Sequence, residues 1–250
     1  MIMNEYNPFS LKEKKILVTG ASSGIGRSTA IECSKMGATL VISGRNEERL
    51  AYTFNQLVGE GHQFVPADLN RENDLSNLVG QCGSLDGVVH CAGIVKFVPF
   101  NFIENEKIEE MMRTNFISPM LLTKSLLKTK KIKKGASIVF ISSLTVNCAT
   151  VGNGIYCATK GAINSMANVL ALEVKHKKIR VNCLLPGMVE TELLNSLTLT
   201  PEELEKDRLQ YPLGYGKPED VAYAAVYLLS DAAKWVTGSK IVLDGGVSIQ

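Results

Sequence analysis

Short runs of Val, Ile and Leu alternate along this chain with longer stretches of helical periodicity, and the first run leads directly into a glycine-rich turn. Strands are read at about 15–19, 38–43, 62–66, 86–91, 136–142, 179–184 and 239–243, and helices at about 24–36, 46–58, 71–80, 104–131, 154–176 and 219–230. Segments such as Ser137-Ile138-Val139-Phe140-Ile141 are apolar without interruption, the pattern of a strand covered by helices on both faces. Alternation of this kind predicts an α/β fold: one parallel, doubly wound sheet of about seven strands with right-handed crossovers. Residues 1–250 suit a single domain, long enough to bury roughly 70–75% of the surface its unfolded chain exposes. In such sheets ligands bind beyond the carboxyl ends of the strands. Thr19-Gly20, Arg45, Asp68, Cys91-Ala92-Gly93, Ser142-Ser143 and Pro186-Gly187 all fall at those ends.

The turn after the first strand reads Gly20-Ala21-Ser22-Ser23-Gly24-Ile25-Gly26. Missing Cβ atoms let backbone approach a pyrophosphate, and the following helix offers free N–H groups and the positive end of its dipole. Strand, glycine turn and helix together favour a dinucleotide site over a mere tight turn.

Tyr156 and Lys160 are four residues apart in a helical stretch and so project from one face. An ammonium about 4 Å from a phenolate, at an effective dielectric near 20, contributes roughly 4 kcal/mol. That is enough to bring a tyrosine pKa from about 10 towards 7, where a general acid or base works best. The same spacing also arises from a half-buried ring beside a solvated lysine.

Composition narrows the function. With 45% hydrophobic and 21% charged residues the chain is ordinary for a soluble globular protein, and a net charge of +2 gives no reason to expect nucleic acid or an anionic membrane as partner. The six cysteines never form Cys-x-x-Cys and suit small buried hydrophobes in a reducing, cytoplasmic setting. His62, His90 and His176 show no ligand spacing, so no metal is expected. No apolar run approaches the length of about 18 residues that a membrane helix needs. Met1–Ser10 lacks the order of a signal peptide and is expected as a loose extension. The stretch 188–217, with Leu193, Leu194, Leu197 and Leu199, has no clear element and is expected as a substrate lid with one or two short amphipathic helices.

Taken together, these motifs resemble the short-chain dehydrogenase/reductase family over essentially the whole chain. The residues that carry the resemblance are Thr19 to Gly26, Asp68, Ala92-Gly93, Asn115, Ser143, Tyr156 with Lys160, and Pro186-Gly187-Met188-Val189-Glu190-Thr191. It implies a Rossmann-type fold and catalysis by Asn115, Ser143, Tyr156 and Lys160. Ser143 would hydrogen-bond the substrate carbonyl oxygen and Tyr156 would protonate it. Lys160 would tune the tyrosine and bind the nicotinamide ribose. The cofactor residues it implies are Gly20, Ser22, Ser23, Gly24, Ile25, Gly26, Arg45, Asp68, Leu69, Cys91, Ala92, Gly93, Pro186, Gly187, Val189 and Thr191, together with Tyr156 and Lys160. Asparagine is unfavourable inside a helix, and Pro119 lacks the N–H that would bond the Asn115 carbonyl, so the helix should bend there. The resemblance gives that carbonyl a water in a proton relay; a purely structural kink is the alternative.

Two departures stand out. His90-Cys91-Ala92-Gly93 replaces the family's usual Asn-Asn-Ala-Gly, so His90 either supplies the structural hydrogen bonds of the first asparagine or those bonds are lost. The Pro212–Pro218 stretch is one residue shorter than the expected pattern. The layout is most similar to the 3-oxoacyl-carrier-protein reductases, and the C-terminal stretch from Val236 to Gly246 resembles members that form homotetramers, with a homodimer as the alternative. Lys134 and Lys177 would then help dock an acidic acyl carrier, unless they only solvate a loop. A sugar, steroid or other secondary alcohol is the competing substrate class, and a non-catalytic nucleotide sensor the remote one. Cofactor choice turns on Arg45: the second strand ends without a carboxylate, and a guanidinium there bonds a 2′-phosphate, which predicts NADP(H) over NAD(H).

Overall fold

The computed structural model describes residues 6–192, 194 and 200–249. Seven parallel strands form one sheet in the order β3-β2-β1-β4-β5-β6-β7. They are β1 Lys15–Thr19, β2 Thr39–Gly44, β3 Gln63–Pro66, β4 Leu85–His90, β5 Ile132–Ile141, β6 Arg180–Pro186 and β7 Lys240–Leu243. The helices are α1 Gly24–Lys35, α2 Glu47–Phe54, α3 Glu72–Gln81, α4 Asn105–Met112, α5 Ser118–Lys128, α6 Gly154–Val174, α7 Pro201–Arg208 and α8 Pro218–Leu229. This is a Rossmann-like α/β architecture, as the alternation predicts. Strand order reverses between β1 and β4, which makes that gap the switch point where a crevice opens.

The apolar strands feed two cores. Leu17, Val41, Val88, Ile138 and Phe140 face one core, with residues of α3, α5 and α6. Ile16, Val18, Ile42, Val89 and Val139 face the other, with residues of α1 and α8. Successive strand residues point to opposite faces, so a continuous apolar run is what two covered faces require. Each fully buried Val, Leu or Ile contributes about 1.5–3 kcal/mol.

The helix expected over 104–131 is three pieces. Between α4 and α5 lies a π-helical turn, Arg113–Ile117, closed by the Ser118 N–H on the Arg113 carbonyl. Pro119, at the start of α5, has no N–H for the Asn115 carbonyl; the regular helix is interrupted where the sequence predicts a bend, and the interruption takes the form of a widened turn. Strand β5 begins at Ile132, earlier than expected, because Ile132 pairs with Leu85 before an irregularity between Leu85 and Gly87. Helix α2 stops at Phe54, short of residue 58.

In the stretch expected as a lid, Leu193, Leu197 and Leu199 lie outside the described residues. The helix α7 within it is held by a capping box in which Thr200 and Glu203 bond each other's backbone N–H, but it buries none of its residues and so is not amphipathic against the body. Its C-terminal end is tied through the Tyr215 hydroxyl to Asp207 at 2.6 Å. Near the N-terminus, the Pro8 carbonyl accepts from the Ala232 N–H at 3.0 Å, and Leu11 is fully buried. Residues 8–11 are therefore fastened to the body, unlike the loose extension expected over the first ten residues.

Candidate active site

A cleft of about 400 Å³ lies at the carboxyl edge of β1 to β4, at the switch point. Its floor is the glycine turn, made possible by backbone in direct contact. Gly20 has φ +67°, and a Cβ there would lie 2.7 Å from the Ala92 nitrogen. A Cβ on Gly26 would lie 2.2 Å from the Gly20 carbonyl oxygen, so α1 packs onto the turn only because no side chain intervenes. The N-cap Ser23 makes no side-chain cap bond, and the first turn of α1 holds no acidic residue. That helix end therefore presents uncapped N–H groups and a positive dipole to the cleft. Arg27 braces the turn from behind, its Nη2 donating to the Ser22 carbonyl at 2.6 Å and its Nε to Thr53 Oγ1 at 3.3 Å.

Of the predicted cofactor residues, Gly20, Ser22, Ser23, Gly24, Ile25, Gly26, Arg45, Asp68, Leu69, Cys91, Ala92, Gly93 and Thr191 line this cleft. Pro186, Gly187 and Val189 do not; they sit at the end of β6, where the Gly187 N–H bonds the Leu243 carbonyl and Val189 bridges to Gly216. Arg45 is exposed and makes no ion pair among the described residues. The cleft also holds residues that sequence reasoning missed, among them Arg49, Asn70, Thr114 and Glu192. Glu192 brings to the cleft a carboxylate that the end of β2 lacks. It is already paired, with Arg49 at 2.6 Å and Arg27 at 3.8 Å. No sequence signal announces this pair, because its members are brought together only by the fold. An uncapped helix end, a turn a Cβ would fill and an unpaired guanidinium together fit a dinucleotide.

Asn115, Ser143, Tyr156 and Lys160 gather beside the cleft. Tyr156 and Lys160 stand one turn apart on α6, and Ser143, which follows β5, is close enough to the tyrosine to favour its charged form. Ser143 Oγ also accepts from the Thr145 N–H at 3.2 Å and from its hydroxyl at 3.0 Å. Asn115, buried on the π turn, spends its side chain on structure. Its Oδ1 accepts from the Ile94 N–H at 2.8 Å, and its Nδ2 donates to the Ile94 carbonyl at 2.8 Å and to Thr159 Oγ1 at 3.1 Å. A Cβ on Gly93 would lie 3.3 Å from Asn115 Oδ1 and 3.5 Å from Lys160 Nζ, so this glycine joins the cleft to Asn115 and Lys160.

The electrostatics correct one expectation. Lys160 Nζ donates to the Ile141 carbonyl at 2.8 Å and stands 5.6 Å from the centroid of the tyrosine ring. Burial pushes the Tyr156 phenol up to about 12, against the hydrogen bond from Ser143. Burial likewise brings the Lys160 ammonium down to about 8, against the nearby Cys91 and Cys183 thiols. The tyrosine is therefore not drawn towards 7: desolvation disfavours the charged form of both groups and is the largest influence on each.

His90 resolves the first departure. Its ring stacks on Phe140 with centroids 4.7 Å apart, and its Nε2 lies 3.0 Å from Thr123 Oγ1, which ties β4 to α5. Cys91 keeps the cleft wall small.

A family model described as Enoyl-(Acyl carrier protein) reductase matches residues 20–248. The 3-oxoacyl-[acyl-carrier-protein] reductase FabG of Rickettsia prowazekii is 32% identical over 238 residues, covering 95% of this chain and 98% of that protein. A human 3-oxoacyl-[acyl-carrier-protein] reductase is 32% identical over 242 residues, covering 95% of this chain and 99% of its own length. Among solved structures, a short-chain dehydrogenase/reductase named as a glucose/ribitol dehydrogenase, from Brucella melitensis, superposes with a TM-score of 0.90 at 31% identity, over 96% of this chain and 99% of that one.

Proposed function

The chain belongs to the short-chain dehydrogenase/reductase family, and from that premise we propose that it is an NADPH-dependent reductase that converts the ketone of a 3-oxoacyl thioester to a secondary alcohol. The observation that carries the cofactor choice is Arg45: a guanidinium without an ion pair among the described residues, in a cleft where the carboxylate of Glu192 is already paired with Arg49. The thioester rests on the names of the relatives in Rickettsia and human.

The bound nicotinamide supplies the hydride. The chain's own residues do the rest. Ser143, beside Tyr156, orients the substrate oxygen between the two hydroxyls. With its pKa near 12 the phenol stays protonated at neutral pH and so holds a proton to give to the oxygen. Lys160, near 8, exchanges protons close to working pH and is placed to restore the tyrosine's proton. Gly93 gives the reacting end room beside Asn115 and Lys160.

The acyl carrier is the less direct part of the reading. Lys134 and Lys177 are exposed, but they sit near the amino ends of β5 and β6, the edge opposite Ser143 and Tyr156. Ten residues of β5 at about 3.3 Å each separate the two edges by roughly 30 Å. A carrier docked there would feed the site of a neighbouring copy, so this reading takes the protein as a homotetramer or homodimer. Its setting is read as cytoplasmic, supported by six free cysteines. The competing substrate, a sugar or polyol, is favoured by the name of the Brucella melitensis relative.

The test is oxidation of NADPH and of NADH with acetoacetyl thioesters, and reduction of NADP⁺ with ribitol and glucose, by the wild type and by Arg45→Ala. Charge-assisted hydrogen bonds of about 1.5–3 kcal/mol give a roughly 10- to 150-fold preference for NADPH, lost in the variant. Equal use of NADH, or a ratio unchanged by the substitution, overturns the cofactor assignment. Turnover of the polyol and not the thioester overturns the substrate.

A further inference from the structure

Asn70, in the turn after β3, is bonded twice to the π turn that presents Asn115 and once to Ser118, the first residue of α5. Its Nδ2 donates to Thr114 Oγ1 at 3.0 Å, its Oδ1 accepts from Ser118 Oγ at 2.7 Å, and its main-chain carbonyl accepts from Arg113 Nη2 at 3.1 Å. These partners bracket Asn115 on both sides. A π turn is rare and is commonly found at functional sites; it needs support from outside its own helix. Asn115 gives part of that support through Ile94 and Thr159, and on the other side of the turn it comes from Asn70, itself fixed by its N–H on Asp68 Oδ1 at 3.1 Å.

The same residue touches the cleft. Asn70 and Thr114 both line it, beside Asp68 and Leu69. The turn they share holds Asn115 against Ile94 and Thr159, next to Lys160. We propose that Asn70 is a positioning residue for proton delivery: by clamping Arg113, Thr114 and Ser118 it fixes the π turn, and with it the place of Asn115 relative to Lys160. This rests on the reading of Tyr156, Lys160 and Asn115 as the proton-handling group. Asn70 takes no part in the chemistry itself. A side chain that merely walled the cleft would affect cofactor affinity and leave the rate alone.

The test uses Asn70→Ala, with Thr114→Val and Ser118→Ala removing single bonds in case the first variant does not fold. Three quantities are measured: kcat at saturating NADPH and ketone, the Kd of NADPH, and hydrogen exchange of amides 113–118 in the free protein. Asn70→Ala is expected to lower kcat by about 10- to 100-fold, leave Kd within about threefold, and speed exchange in that segment by at least about tenfold. The single-bond variants move the same way by less. Asn70→Asp, which still accepts from Ser118 and takes a bond from the Thr114 hydroxyl, restores kcat to within about threefold. A kcat within twofold of wild type for Asn70→Ala, while Asn115→Ala is inactive, overturns this inference alone. So does a loss confined to Kd, or exchange in 113–118 that does not change. If Tyr156→Phe stays active, the proposed function fails first, and the exchange measurement still decides whether Asn70 holds the turn.

Discussion

Burial acts on Tyr156, Lys160 and His90 through one cause, the loss of water around a charge, and its consequences differ with the role of each. For Tyr156 and Lys160 it keeps the phenol protonated and brings the ammonium down to about 8. For His90 it bears on stability. The Thr123 hydroxyl donates to the Pro119 carbonyl at 2.8 Å, so Nε2 of the histidine is the donor in their mutual contact and Nδ1 keeps a lone pair. That Nδ1 is buried without a partner among the described residues. Charging the ring would bury an unpaired cation, and burial pushes its pKa down to about 3. An unfolded histidine titrates near 6.5, so between about 6.5 and 3 the unfolded chain binds a proton that the native state refuses. Stability from this group is complete above about 6.5 and is lost as pH falls, at roughly 1.4 kcal/mol per pH unit. In denaturant unfolding at pH 7 and pH 5, His90→Gln should show a difference about 2 kcal/mol smaller than wild type shows. Equal differences would mean that the ring takes its proton in the folded protein. The sequence poses the question of what His90 replaces; only the packing against Phe140 and Thr123 answers it.

At the scale of elements, the glycine turn and α1 are legible because their requirement is local: backbone must touch backbone. Gly26→Ala puts a methyl 2.2 Å from the Gly20 carbonyl, where no flexible side chain can yield. Overpacking of this kind costs about 1–3 kcal/mol, and a chain of this size loses about 2–4 °C of Tm per kcal/mol. Thermal unfolding should therefore show Tm lower by roughly 2–12 °C, and an NADPH titration should show weaker binding. An unchanged Tm would mean that α1 can move off the turn at no cost. The break between α4 and α5 is equally legible, since Asn115 and Pro119 are both poor helix interiors, but its π geometry is not. The first residues of β5 are missed because Lys133-Lys134-Gly135 carries the composition of a loop and falls in the irregularity between the Leu85–Ile132 and Gly87–Ser137 pairs, with Lys133 bonded through its side chain to Asp86 at 2.8 Å. The early end of α2 is missed too: the chain turns at Phe54 to pack that ring 5.1 Å from Phe64 of β3.

At the scale of the whole molecule, the strand order decides what meets what. Residues far apart in sequence converge because β1, β2, β3 and β4 end at one edge, and the tyrosine cluster joins them there through β5 and α6. Each motif is readable in isolation, and the edge on which they assemble follows from the alternation. Contacts that depend on three-dimensional closure are not readable: Glu192 against Arg49 and Arg27, and Asn70 against the π turn, join segments with no shared pattern. Lys134 and Lys177 are exposed at the opposite edge, away from Ser143 and Tyr156. The central claim is that cleft and tyrosine cluster form one reductase site, with Tyr156 as its proton donor. The most direct measurement is steady-state NADPH oxidation by Tyr156→Phe at saturating ketone, with the NADPH Kd determined alongside. Loss of the proton donor alone predicts kcat lower by about 10²- to 10⁴-fold with Kd within about threefold of wild type; a variant that keeps more than about half its kcat would contradict the account.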